Sequence, residues 1–246
     1  MPRYTKTEVL ELVTEALVTV GGMGSRLRGG GFPIPCTKSF IDVLGEPLIY
    51  WNLRVLERAK FSKIVICADD NEAIRRARAQ VDRFNDVDIE FSFVIDTGLG
   101  TAGLPVHFMH LFDSSFYFIT GHSFVSPCHL LSMRSVAVPG NVVVSTFDEQ
   151  IVAKNIRTSS IHGANPDQMM LPIPSRMIDY PYILDGSYCK ILKLNKFDVI
   201  KTLRYFARLN AVKYIHSELP VETDEPEQFD ENMNAISSAI IGLSLR

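Results

Sequence analysis

Few cysteines, little net charge and no long apolar run define this 246-residue chain first by what they exclude. Cys36, Cys67, Cys128 and Cys189 are widely spaced, with no C-x-x-C pair and no Cys/His cluster, so zinc and redox chemistry lack their ligands and the thiols read as reduced. A net charge of -3 gives no broad electrostatic reason to bind nucleic acid or an anionic membrane, both of which need clustered, uncompensated Lys and Arg. The basic stretch from Arg75 to Arg83 is interrupted by Asp82 and apolar residues, as on the solvated face of a helix. Lys6 and Glu8 stand where a signal peptide needs an apolar run, and no segment approaches membrane-spanning length. The expectation is a cytoplasmic protein with no nucleic-acid or membrane partner. Internal repeats are also lacking.

What is present is ordinary globular usage, 46% hydrophobic and 22% charged, in a chain long enough to bury a substantial core. A capping box at Thr5 and Glu8 opens a short amphipathic helix. Ala16 to Val20 is a branched apolar run ending in Gly21-Gly22, as a buried parallel strand does on meeting a loop. Pro47 in a first turn leads a helix whose apolar positions run from Leu48 to Ala59. Lys63 to Ala68 reads as a strand, Asn71 to Phe84 as a helix, and Ile89 to Ile95 as an alternating strand. A helix through Phe112, a strand at Phe116 to Ile119, a helix from Ser126 and a strand at Asn141 to Thr146 continue the alternation. Thr158 to Pro181 reads as irregular cover over a site. A helix near Phe197 to Leu209, a strand at Val212 to Ile215 and a helix from about Pro226 close the chain. This order predicts an α/β fold: one doubly wound, mostly parallel sheet with helices on both faces and ligands beyond the carboxyl ends of its strands. One domain is expected over residues 1–246, with 1–135 and 136–246 as its two halves.

Chemistry concentrates after the first strand, in Gly21-Gly22-Met23-Gly24-Ser25-Arg26-Leu27. Glycines there let backbone N–H groups approach phosphate oxygens, and the planar fork of Arg26 suits two such oxygens at once. A dinucleotide fingerprint fails, because its third glycine would fall on Leu27. A P-loop fails as well, because Gly29-Gly30-Gly31 stands where Gly-Lys-Ser/Thr is needed.

With Lys38 and Gly45-Glu46-Pro47 following, the segment resembles the opening signature G-G-x-G-T/S-R-L of the sugar-phosphate nucleotidyltransferases, or pyrophosphorylases. Leu99-Gly100-Thr101-Ala102-Gly103 is similar to their L-G-T-A-G motif, and Val221 to Phe229 to the acidic D-x-D-x-P-E-D-L-like segment near their carboxyl end. The resemblance implies an NTP held by Gly21, Gly22, Gly24, Ser25 and Arg26, with Gly100, Thr101, Ala102 and Gly103 against base and ribose. It implies that Lys38 neutralises charge on the α-phosphate as pyrophosphate leaves, so that Arg26 and Lys38 carry catalysis. The acceptor is a phosphorylated small molecule such as a sugar 1-phosphate, with phosphocholine or a phosphonate also open.

The family ends its equivalent of the Phe116 to Ile119 strand with Gly-Asp, the aspartate binding magnesium; here Gly121-His122 stands. The implied divalent metal is Mg²⁺, and Mn²⁺ or another ion suits an imidazole better. Its ligands would be His122, Glu222 and Asp224; the two acids lie two apart and share a face of an extended strand. Ile95, Asp96 and Thr97 occupy the zone where the family often has a base-reading glutamine, leaving the base open. Resemblance weakens between Asp148 and Lys193, where Lys154, Arg157, Arg176 and Lys190 are candidates for the acceptor's phosphate. There Asp185-Gly186-Ser187-Tyr188 is similar to an N-A-G-x-Y segment that precedes a strand. The alternative is a nucleotide-binding regulatory or catalytically weakened homologue. A glycosyltransferase would need a D-x-D carboxylate that Phe118 to Ser123 lacks. Whether the chain forms a homo-oligomer stays open.

Overall fold

A computed structural model describes residues 13–22, 29, 31, 36–84, 87–96, 98–148, 176–216, 221–222 and 229–244. The expected amino-terminal helix lies outside them, as does most of the stretch from Thr158 to Pro181.

The main strands are β1 (Glu15–Thr19), β4 (Lys63–Ala68), β5 (Glu90–Ile95), β6 (Phe116–Thr120), β8 (Val142–Asp148), β9 (Arg176–Leu184) and β10 (Val212–His216). They form a seven-stranded sheet in the order β10-β8-β9-β6-β1-β4-β5. Every neighbouring pair is parallel except those of β9, which runs antiparallel between β6 and β8. The short strands β2 (Asp42–Val43) and β3 (Glu46–Pro47) form a hairpin, and β7 (Ser123–Phe124) pairs with β11 (Val221–Glu222).

Alternation along the strands builds two cores. Ala16 and Val18 of β1, Ile64 and Ile66 of β4, and Tyr117 and Ile119 of β6 point to one face. There they meet α1 (Leu48–Arg58), α2 (Asn71–Val81), α4 (Pro127–Val136) and α7 (Phe229–Ser244). Leu17, Val65, Cys67, Phe116 and Phe118 point the other way, onto α3 (Leu104–Phe108), α5 (Gly186–Leu194) and α6 (Val199–Arg208). Period-two strands that are apolar on both sides require helices on both faces, so the doubly wound sheet follows directly. Each fully buried aliphatic side chain contributes about 1.5–3 kcal/mol.

Three expectations need correction. Pro47 is the extended N-cap residue of α1 rather than a member of its first turn. The end of the stretch expected to be irregular is a strand, β9, despite Pro181. Its register against β8 jumps from Val144↔Tyr182 to Ser145↔Asp179, so Pro181 sits in a bulge where its missing N–H breaks no ladder bond. Its carbonyl is not wasted, accepting a hydrogen bond from the Ser145 hydroxyl at 3.0 Å. Asp185 to Tyr188 does not lead into a strand either. The Asp185 carboxylate accepts from the Tyr188 amide at 2.9 Å and caps α5 instead.

Candidate functional site

Four parallel neighbours, in the order β6-β1-β4-β5, send their carboxyl ends to one edge of the sheet. From that edge emerge Gly21-Gly22 after β1, Asp69 after β4, Asp96 to Gly103 after β5 and Gly121-His122 after β6. The crevice beyond such an edge is where open α/β sheets bind ligands.

The Gly21-Gly22 corner is fixed from two sides. Gly22 has φ +96°, a conformation that disfavours any side chain. Its amide donates to Asp69 Oδ2 at 2.8 Å, and its carbonyl accepts a long bond from the Lys38 amide at 3.4 Å. Lys38 opens a 3₁₀ turn, Lys38–Phe40, and is buried at 8% exposure. A side-chain carbon added at Gly22 would lie 3.5 Å from Lys38 Cε, so the end of the lysine side chain sits beside the glycine. The flanking hydroxyls of Thr37 and Ser39 are buried and make no hydrogen bond among the described residues.

The Gly121-His122 turn is held from beneath. Its first amide donates to the Thr19 carbonyl at 2.7 Å, tying the end of β6 to the end of β1. Buried Asn52 of α1 donates from Nδ2 to the carbonyls of both Gly121 (3.0 Å) and Ser123 (3.1 Å), the residues on either side of His122. Thr120 and Ser123 close the turn with a hydroxyl–hydroxyl bond of 2.7 Å. His122 itself is buried at 7% exposure. Asn52→Leu removes the donor and strands two carbonyls. The expected loss is about 1–3 kcal/mol in unfolding free energy, read from the urea midpoint at unchanged slope.

On the far side, Ser123 pairs with Glu222 in the β7–β11 ladder, which sets the backbone of Glu222 beside the His122 turn. No group of three or more His, Cys, Asp or Glu side chains that could hold a metal gathers among the described residues. Gly24, Ser25, Arg26 and Asp224 lie outside them. Gly100, Thr101, Ala102 and Gly103 leave the same sheet edge two strands from β1 and lead into α3, for which Gly103 is the N-cap. Asp96 Oδ1 organises that loop by accepting from the amides of Gly98 (2.9 Å) and Leu99 (3.0 Å). Beneath the loops, burial pushes the Cys67 thiol up to about 12, and the carboxylates of Asp96 and Asp69 add to the effect. That thiol is a core group, not a nucleophile.

Three shaping residues escape a reading of the sequence alone. Asn52 lies on the buried face of an amphipathic helix, and Asp96 stands where a base-reading residue is sought. Asp69 is masked by its neighbour, because Asp70 caps α2 by accepting from the Ala73 amide at 2.8 Å and so explains the Asp-Asp pair on its own.

No family model matches this sequence, and no curated protein matches it. Solved structures do. The chain overlays the inositol-1-phosphate CTP transferase of T. maritima with a TM-score of 0.67, at 15% identity, over 93% of this chain and 96% of that one. A UDP-glucose pyrophosphorylase complexed with UDP-glucose gives 0.66 at 17% identity, over 92% and 99%. A structure assigned as a glucose-1-phosphate thymidylyltransferase from Bacillus anthracis gives 0.67 at 12%, over 92% and 95%. This chain therefore has the fold of the sugar-phosphate nucleotidyltransferases along nearly its whole length.

Proposed function

We propose that this chain is a nucleotidyltransferase that moves a nucleoside monophosphate from an NTP to the phosphate of a small acceptor, a sugar 1-phosphate or a similar phosphorylated molecule, with release of pyrophosphate. The observation that carries the reading is the buried Lys38 beside Gly22 at the carboxyl edge of the parallel strands. The likeness in fold to nucleotidyltransferases supports it.

In this reading an oxygen of the acceptor's phosphate attacks the α-phosphorus of the NTP. The bond from that phosphorus to its bridging oxygen breaks, and the electron pair leaves on pyrophosphate. No protein nucleophile takes part, so the protein contributes alignment and charge. The loop from Gly21 through Arg26 holds the triphosphate, Lys38 meets charge on the α-phosphate, and Gly100 to Gly103 receive base and ribose. The half from residue 136 onward takes the acceptor.

A divalent metal belongs to the proposal through His122, Glu222 and Asp224, and the Ser123–Glu222 pairing supports that grouping. An imidazole among carboxylates suits Mn²⁺ better than the harder Mg²⁺. Such an ion would supply Lewis-acid charge at the phosphates.

The test is pyrophosphate release from each NTP against a panel of sugar phosphates, phosphocholine and phosphonates, with Mg²⁺ and with Mn²⁺. Metal-dependent release with one NTP–acceptor pair well above the others is the expected result. No release with any pair under either ion would overturn the proposal.

A further inference from the structure

We infer that Asp69 is a positioning residue for Lys38, acting through the Gly22 peptide; the inference rests on the role proposed above for Lys38. Asp69 follows the last residue of β4 and is exposed, so burial does not account for it. Capping does not account for it either, since Asp70 caps α2. Its carboxylate fills the space a side-chain carbon at Gly21 would need, and it accepts the Gly22 amide at 2.8 Å. The other end of the same residue, the Gly22 carbonyl, faces the Lys38 amide. Lys38 Cε lies 3.5 Å from where a side-chain carbon at Gly22 would stand, so the end of the lysine occupies the side of the glycine that has no side chain.

A chain of hydrogen bonds thus runs from a carboxylate just beyond β4, through one residue of the loop, to the backbone of Lys38, with the end of its side chain beside the same glycine. A charged acceptor makes the first link stronger than a neutral one would be. Two consequences follow for the chemistry. The Gly22 amide is committed to Asp69, so Gly22 serves a polyphosphate by shaping the corner and not by donating its own N–H. A carboxylate placed at the mouth of a polyphosphate site is also electrostatically costly, and fixing the loop offsets that cost only if the position of Gly22 matters to the lysine.

Asp69→Ala, Asp69→Asn and wild type are compared by two readouts. The first is the rate at which an amine-reactive reagent labels Lys38, followed by peptide mass spectrometry in the absence of nucleotide. The second is kcat and KM for the NTP in pyrophosphate release, with thermal melts as the folding control. Asparagine can still accept the Gly22 amide through its side-chain oxygen; alanine cannot. In Asp69→Ala, Lys38 labelling rises several-fold and kcat falls by roughly 10- to 100-fold with little change in KM, the pattern of a misplaced group. Asp69→Asn stays close to wild type on both readouts. If Asp69→Ala fails to fold, Asp69→Ser, too short to reach the amide, takes its place.

Unchanged Lys38 labelling in the alanine variant overturns the inference. So does an asparagine variant as impaired as alanine, because the charge of Asp69 would then act directly on a ligand. A wild-type protein that releases no pyrophosphate defeats the proposed function, and the labelling rates still decide the inference.

Discussion

Lys38→Ala lowers pyrophosphate release by roughly 10²–10³-fold in kcat, the loss typical of removing one preorganised electrostatic contact to a developing charge. Two geometric facts make this larger than the loss of a surface lysine. The residue is buried at 8% exposure, and the end of its side chain sits beside Gly22 in a corner fixed by Asp69 and by the Lys38 backbone itself. A charge held this way is oriented before substrate arrives and spends no binding energy on being ordered. The effect should therefore fall on kcat, with NTP affinity by titration changing far less, because the loop amides still hold the triphosphate. Lys38→Arg should not rescue, since a planar fork cannot take the place of the end of a linear side chain beside the glycine. A variant that turns over at the wild-type rate would remove Lys38 from the chemistry.

The central parallel strands were legible in the sequence because they are buried on both faces, and the edge strand β5 because its apolar residues alternate. Runs such as Lys63 to Ala68 and Phe116 to Thr120 have nowhere to sit except between two layers of helix, and the two cores divide their alternate residues as that requires. Strand β9 was not legible, because a stretch ending at Pro181 reads as irregular so long as a strand must keep a regular ladder, and the bulge opposite Val144 and Ser145 removes that requirement. Helix α5 hid behind a motif. Asp185-Gly186-Ser187-Tyr188 is a plain N-cap sequence, and its likeness to a strand-leading segment outweighed the capping chemistry.

For the site, motif spacing picked out Lys38 and Gly121, but their geometric reasons lie in contacts distant along the chain. Asn52 reaches Gly121 across 69 positions and Asp69 reaches Gly22 across 47, and no local pattern encodes either pairing.

Gly121→Val is expected to cost the fold heavily, and the reason is space rather than backbone conformation. Gly121 is not among the residues with positive φ, so an L side chain is conformationally allowed there. A carbon added at this position, however, would stand 2.7 Å from the Thr19 carbonyl oxygen, 2.9 Å from Ser39 Oγ and 3.2 Å from Val20 Cγ1. The first of these is backbone of β1, itself accepting the Gly121 amide, and it cannot retreat without opening the β1–β6 ladder. Overpacking of this kind costs about 1–3 kcal/mol or more. In a protein of this size that is roughly 2–4 °C of melting temperature for each kcal/mol. The damage is also functional, because Ser39 is the neighbour of Lys38 and His122 follows Gly121. Forcing the turn away from β1 separates the two flanks of the site, so activity should fall further than the melting shift alone explains. Gly121→Ala should show the same signs to a smaller degree. Adding Ser39→Ala to it removes the 2.9 Å contact but leaves the 2.7 Å one, so the double variant should recover only part of the lost stability in thermal melts. Full recovery would locate the crowding at the hydroxyl instead of the strand, and a Gly121→Val protein as stable and active as wild type would show that the turn is free to move.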